Sequence, residues 1–278
     1  MKLVPRLVFA VALLSGLIFP GTSRAEDQDA IDYRRHIMAT LGEETAAIGQ
    51  ILQKKAPADD LATHTEILAI TAATAKKAFE PTAPGGDAKP AVWSNWGDFA
   101  KRLDELSAAT ADLAKSAKEG GAAAAAPKVE AALSCKACHD TYREKANAAA
   151  AAPAAKAEDA VVYREHIMKA LNEQSAALGM ILSTAVPEDS EAAHMEAIAL
   201  SAKIALKAFE PKVQGGQSKP EIWTNWADFS KRMNDFSQKT GEMARLAKEK
   251  GPEAASANVI DALSCKSCHD TYRDQSKK

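Results

Sequence analysis

The sequence of 278 residues lacks three patterns that would assign it to common classes of protein. It has no run dominated by lysine or arginine, and 37 acidic residues balance its 35 basic ones, so a nucleic-acid-binding surface is not expected. It has no alternating run of β-branched residues, which argues against β-strands. Aromatic residues make up only 5% of the chain, but 46% is hydrophobic, which is enough for a buried core.

A long apolar run is also missing, and the one at the N-terminus has the pattern of a cleaved export signal. Lys2 and Arg6 precede an apolar stretch over residues 7–19, and small residues follow at 23 and 25, where a signal peptidase would cut. The stretch is about 13 residues long, whereas a membrane-spanning helix needs roughly 20. We expect a signal peptide over 1–25, a periplasmic mature protein and no membrane insertion after cleavage.

The rest of the chain is a tandem repeat: two copies of one unit, offset by 130 residues. Tyr33-Arg34 recurs as Tyr163-Arg164, and the segment 135–143 recurs as 265–273 without any gap between these ends. A repeat of this length is a whole domain. We expect one domain over 26–147, an Ala/Pro linker over 148–158 and a second domain over 159–278.

Apolar residues in each repeat recur at spacings of three and four, which is typical of amphipathic helices. In the first repeat we expect helices from Tyr33 to before Pro57, over about 60–79 and over about 91–118. A fourth helix after Gly120-Gly121 would carry the cysteines. Four helices with short connections predict an all-α fold made of two tandem antiparallel four-helix bundles.

Each repeat ends in Cys-x-x-Cys-His, the signature for covalent attachment of a c-type haem. On a helix, residues i and i+3 share a face, so both thiols can meet the vinyl groups along one porphyrin edge, with the histidine beneath the iron. The alternatives are disulfides, a thioredoxin-like pair, which would need a βαβ context, and a zinc site, which would need a fourth ligand. The sequence therefore predicts two haem c groups, held by Cys135, Cys138 and His139 and by Cys265, Cys268 and His269.

Each repeat resembles the class II c-type cytochromes, a family that includes cytochrome c′ and low-spin, Met-ligated relatives. The resemblance covers 33–143 and 163–273 and rests on Tyr-Arg in the first helix, Pro-x-x-Trp opening the third, and Cys-x-x-Cys-His-x-x-Tyr-Arg at the end. The tandem duplication departs from the usual family member.

The resemblance implies which residues surround the haem. The distal position lies five residues after the Tyr of the Tyr-Arg pair; cytochrome c′ places an apolar residue there, and the low-spin members place Met. Here these positions are Met38 and Met168, which we expect to be the distal iron ligands. Arg34 and Arg164 match positions near the haem propionates, and Arg143 and Arg273 lie one turn after the proximal histidines, near the haem edge.

The other histidines are expected to be solvent-exposed, with iron ligation by His36 and His166 as the alternative to ligation by the methionines. His36 and His166 stand two residues before each methionine, and two residues turn a helix by about 200°, so they would face away from the haem. His64 and His194 are expected at the surface beside Glu66 and Glu196.

The resemblance implies a periplasmic dihaem electron carrier that exchanges single electrons with donor and acceptor proteins. We expect no stand-alone enzyme, because no acid–base pair or activated nucleophile is evident. One alternative is NO or CO binding at a five-coordinate haem, as in cytochrome c′. Another is a redox subunit of one enzyme complex, and a homodimer is left open.

Overall fold

The structure, a computed structural model, describes residues 24–144, 158–186 and 188–277. The first repeat contains four long or medium helices and two single turns. These are α1 (Arg24–Leu52), α2 (Leu61–Phe79), α3 (Ala91–Ser94), α4 (Trp96–Ala125), α5 (Val129–Ala132) and α6 (Cys135–Tyr142). The predicted signal peptide and linker fall almost entirely outside the described residues, and both stay predictions.

The second repeat repeats this order. Its helices are α7 (Asp159–Leu182), α8 (Glu191–Ala205), α9 (Glu221–Thr224), α10 (Trp226–Lys250), α11 (Pro252–Ala262) and α12 (Cys265–Tyr272). Within the described residues the only β-type pairing consists of isolated bridges. The predicted fold class, two tandem four-helix bundles, is confirmed.

Glycine ends the third long helix of each bundle. Gly121 has φ 59° and ψ −150°, and the matching Gly251 has φ 88° and ψ 158°. Only glycine adopts this region readily, so the chain leaves the helix there and begins the next one. Although α4 is continuous by hydrogen bonding, Gly120 and Gly121 divide it as the sequence predicts.

Two further breaks differ from the sequence prediction. The third helix begins with a separate turn because Asn95, at φ −126° and ψ 44°, interrupts it. The fourth helix does not run continuously into the cysteine motif, since Leu133 and Ser134 leave helical geometry before α6 begins. The matching residues break the second repeat in the same way. The motif therefore sits on its own eight-residue helix in each repeat.

The two repeats pack against each other through their first two helices, α1 against α7 and α2 against α8. The contacts are reciprocal: the phenol of Tyr33 meets His194 at 2.8 Å, and that of Tyr163 meets His64 at 2.9 Å. The interface is therefore close to two-fold symmetric. The hydrophobic core runs through it, because Tyr163 and Ile167 of the second repeat share one buried cluster with Ile48 of the first.

None of the helices that the structure describes is long and apolar enough to cross a membrane.

Candidate haem-binding sites

The cysteine motif presents the same set of groups in both repeats. Cys135 is exposed, whereas Cys138 and His139 are half-buried, and the second repeat matches residue for residue. All four cysteines lie in the described residues and are free thiols, so the disulfide alternative is not realised. The thioredoxin-like alternative also lacks its βαβ context in the described part of the chain.

The electrostatic setting of the motif histidines favours metal ligation. Partial burial and the neighbouring Arg143 charge lower the pKa of His139, and partial burial with Arg273 does the same for His269. Each imidazole is therefore neutral at pH 7 and keeps a lone pair for a metal. Burial also raises the pKa of the Cys138 and Cys268 thiols, which keeps them protonated.

A polar clamp, which the sequence reasoning missed, fastens the motif helix α6 to α4. The Tyr142 hydroxyl donates to Asp98 at 2.5 Å and accepts from the Asn95 amide at 2.9 Å, while Arg102 donates to the same carboxylate at 2.7 Å. The second repeat contains the same clamp, formed by Tyr272, Asp228, Asn225 and Arg232. The sequence feature that could have revealed this clamp is the repeated segment Asn-Trp-x-Asp-Phe at 95–99 and 225–229. It is identical in both copies apart from the residue after Trp.

The loop before α3 also holds the end of the motif helix. The backbone N–H of Lys89 donates to the Tyr142 carbonyl at 2.9 Å, and Arg143 forms an ion pair with Asp87 at 3.2 Å. In the second repeat Arg273 donates instead to Gln217 at 2.8 Å. Arg143 and Arg273 are thus exposed and bound to this loop, beside the motif; their predicted contact with the haem edge stays a prediction.

The predicted distal methionines lie on the inner side of the first helix of each repeat. Met38 is half-buried and packs on an apolar cluster that Cys138 also contacts; Met168 and Cys268 share a second cluster in the same way. The fold therefore brings the thioether and the motif of each repeat to one core. This arrangement is compatible with a porphyrin between them.

Arg34 and Arg164 provide a direct test of whether a haem fits. Arg34 is only 3% exposed; its Nη2 donates to the Ala83 carbonyl at 2.8 Å, and its guanidinium lies 5.2 Å from the Trp93 ring centre. Burial lowers its pKa to about 10, which still leaves it charged. Nη1 of Arg34, like Nη1 of Arg164, is buried with no hydrogen-bond partner among the described residues.

A buried cationic nitrogen without an acceptor is costly, so an anionic group is expected beside it. A haem propionate supplies such a carboxylate. The neutral histidines, the free thiols and the orphaned guanidinium nitrogens together fit a haem in each repeat.

The expectation of surface histidines is wrong. His64 and His194 are each 1% exposed and bind tyrosines of the opposite repeat. His36 and His166 are half-buried, and their Nδ1 atoms contact glutamates across the interface at 2.6 and 2.5 Å. All four lie where the repeats dock, and the pattern within one repeat gives no sign of that docking.

Comparison with known proteins places both repeats in one family. The family model for cytochrome c′ matches residues 29–143 and again 159–273. Cytochrome c′ of Rubrivivax gelatinosus is 32% identical over 124 residues, which cover 42% of this chain and 95% of that protein. Cytochrome c-556 of Agrobacterium tumefaciens is 29% identical over 120 residues, covering 41% of this chain and 97% of the relative.

A solved nitric oxide complex of a cytochrome c prime variant from Alcaligenes xylosoxidans is 28% identical and covers 43% of this chain and 97% of its own, with a TM-score of 0.41. Each of these relatives corresponds to a single repeat. Because the family model matches both repeats over most of the chain, this protein belongs to the cytochrome c′ family of haem c proteins and carries two copies of its domain.

Proposed function

We propose that the protein is a periplasmic electron carrier that binds two haem c groups, one in each domain, with His139 opposite Met38 and His269 opposite Met168. The observation that carries the proposal is that both repeats place a methionine on the inner face of the first helix, against the core that the motif cysteine contacts. A thioether opposite an imidazole closes the iron to added ligands and is a ligand pair of electron-carrying cytochromes.

The residues of each domain have separate roles in this proposal. The two cysteines would hold the group covalently, and the neutral histidine and the methionine would be its iron ligands. Arg34 and Arg164 would pair with a propionate through the nitrogen that has no other acceptor. When bound, the haem supplies a reversible one-electron change, and the bundle fixes its ligands and excludes water.

Rigid mounting of both ligands supports electron transfer over gas binding. Met38 follows the fully buried Ile37 on a 29-residue helix, so its backbone is fixed by the core. The motif helix is held by the clamp of Tyr142 and Asp98. Electron transfer is fast when the iron ligands move little as the charge of the iron changes.

The partners are proposed to be donor and acceptor proteins that dock transiently over the motif helices. Lys136 and Lys266, which lie inside the motifs, are exposed, so this edge of each domain is open to a partner. No enzymatic step is proposed for the chain itself.

Optical spectra of the haem-loaded protein with and without carbon monoxide test the axial ligands. We expect low-spin spectra, an oxidised band at roughly 695 nm from iron–thioether charge transfer and no response to carbon monoxide. Met38→Leu and Met168→Leu should each make about half of the haem reactive with carbon monoxide, and the double variant all of it.

Met180→Leu is the matched control, because Met180 is also half-buried on a first helix but has Gln50 as its counterpart. It should leave the spectra unchanged. High-spin spectra with full carbon monoxide binding in the unmodified protein would contradict the proposal and favour a gas-binding cytochrome c′.

A further inference from the structure

The two halves of the interface between the repeats have the same geometry but different polar groups. Each half contains a buried histidine of one repeat and a tyrosine of the other, His64 with Tyr163 and His194 with Tyr33. Two further polar residues stand beside each pair, and these differ between the halves. They are Glu44 and Asp60 in the first half and Gln174 and Ser190 at the matching positions of the second. The difference allows the protons of each half to be counted.

In the first half, acceptors surround His64. Asp60 accepts from the Lys207 ammonium at 3.1 Å through one carboxylate oxygen and from the Tyr163 hydroxyl at 2.8 Å through the other, so the hydroxyl hydrogen of Tyr163 is committed to Asp60. The tyrosine oxygen can then only accept from Nε2–H of His64 at 2.9 Å. On the other side, Nδ1 of His64 faces the Glu44 carboxylate at 2.7 Å. The histidine and glutamate therefore need two protons between them.

In the second half, one proton on His194 is enough. Thr71 donates its hydroxyl hydrogen to the Ile67 carbonyl, so it accepts from the Gln174 Nε2 at 2.9 Å and turns the amide oxygen of Gln174 toward His194. That oxygen accepts from Nδ1–H of His194 at 2.5 Å.

Nε2 of His194 is then free to accept from the Tyr33 hydroxyl at 2.8 Å. Ser190 stands in the position of Asp60, and a hydroxyl, unlike a carboxylate, does not compel the tyrosine to donate to it. Burial lowers the pKa of His194 to about 4, which agrees with a neutral ring.

We infer that the first half of the interface is a proton-binding site, in which Glu44, His64 and Tyr163 hold at neutral pH one proton more than the matching Gln174, His194 and Tyr33. The proton neutralises a carboxylate that is 1% exposed. Its release would leave a buried charge without a counter-charge, which weakens the packing of one repeat on the other.

The charged and titratable groups around this site come from several elements. The groups that reach His64 directly or through Tyr163 are Glu44 on α1, Tyr163 on α7, Asp60 before α2 and Lys207 after α8. In the next layer are two ion pairs, Lys207 with Asp59 and His166 with Glu43. From α4, which also packs on α2, Asp104 pairs with Lys76 at the exposed side of the helix.

Neutron diffraction from crystals of the haem-loaded full chain, grown in D2O at neutral pH, counts these protons. We expect two deuterons on the His64–Glu44 pair and one, on Nδ1, for His194. The inference would be overturned by a single deuteron on His64 with none on Glu44, or by equal counts in the two halves.

The double variant Glu44→Gln with Asp60→Ser copies the second half of the interface into the first, an arrangement that this chain already folds with. It should show one deuteron on His64. If the double variant kept two, the carboxylates would not be the groups that hold the proton.

The pH dependence of unfolding is a second test for the extra proton. Above the ordinary histidine pKa of roughly 6.5 the unfolded chain has released this proton and the folded chain still holds it. The unfolding constant of the unmodified protein should therefore rise by up to about tenfold per pH unit relative to the double variant, until the proton leaves. Parallel profiles for the two proteins would contradict the inference. Neither measurement depends on how the iron is ligated, so its outcome is separate from that of the spectral test.

Discussion

A buried histidine that must stay neutral makes a protein sensitive to acid. His194 is 1% exposed, its pKa is lowered to about 4 mainly by burial, and the charge of His36 adds to the effect. The unfolded chain has an ordinary histidine there, with a pKa of roughly 6.5. The stabilising contribution is therefore fully present above about pH 6.5 and is lost as the pH falls toward 4.

We predict that this one group removes about 3 kcal/mol from the free energy of unfolding between pH 6.5 and pH 4. Chemical denaturation of the haem-loaded protein across that range measures it. Gln174→Glu gives His194 a carboxylate like the one at His64 and should flatten the acid side of the profile. An unchanged slope in that variant would show that another group causes the loss.

The contribution of the Tyr142 hydroxyl to the clamp can also be measured by a single substitution. It is 3% exposed and takes part in two hydrogen bonds that join the motif helix to α4. Tyr142→Phe should destabilise the first domain by about 1–2 kcal/mol, because the Asn95 amide and Asp98 each lose a partner.

Thermal unfolding of the haem-loaded protein checks this, with Tyr272→Phe as the equivalent change in the second domain. Asp104→Asn, which breaks only an exposed ion pair with Lys76, should have little effect. Equal destabilisation by Tyr142→Phe and Asp104→Asn would argue against the clamp.

At the scale of secondary structure, most of each bundle could be predicted from the sequence. Apolar spacing marks the long helices, and Pro57, Pro81 and the glycines at 120 and 121 mark where they end. The breaks at Asn95 and at Leu133-Ser134 could not be predicted, because neither site has a Gly or Pro. They occur where the chain turns to bring the clamp and the motif helix into place.

The role of Gly121, which divides α4, can be tested by comparing its substitution with that of Gly97 in the same helix. Gly121→Ala should destabilise the protein by about 1–3 kcal/mol, since its φ of 59° and ψ of −150° exclude a side chain. Gly97 is the second residue of α4, an added Cβ there meets nothing within 4 Å, and the second repeat has Ala227 at this position, so Gly97→Ala should stabilise slightly, by up to about 0.5 kcal/mol.

Denaturant titration measures the free energy of unfolding of both variants, which should fall for Gly121→Ala and rise slightly for Gly97→Ala. Stabilisation by Gly121→Ala would mean that the helix can continue through this point.

At the scale of the whole molecule, the sequence predicts two domains but not how they meet. The haem motif could be found because its chemistry lies in five adjacent residues, and the clamp could not, because Asn95 and Tyr142 are far apart in the chain. The interface histidines were misplaced for a similar reason. Their partners belong to the other repeat, and a repeat read alone presents them as polar positions on a surface.

The extent of this interface predicts that the domains stay together without their connection. A protease site inserted between Ala148 and Ala157, then cut in the haem-loaded protein, should give two fragments that sediment as one species at neutral pH. The apolar contacts between α1 and α7, the reciprocal tyrosine–histidine pairs and the ion pairs of Lys77 with Asp189 and Lys207 with Asp59 hold them.

Separation of the cut fragments at micromolar concentration would show that the interface depends on the linker. Uncut protein carrying the same insertion is the control.

The near two-fold arrangement of the repeats has a consequence for how the molecule can change over generations. In a pair of identical chains, every substitution appears on both sides of the axis at once. Here the two sides are separate positions in one coding sequence, so Glu44 can face its neighbours while Gln174 stands at the mirrored place. Divergence of the copies makes the two halves of the interface chemically different, and selection can act on each half independently.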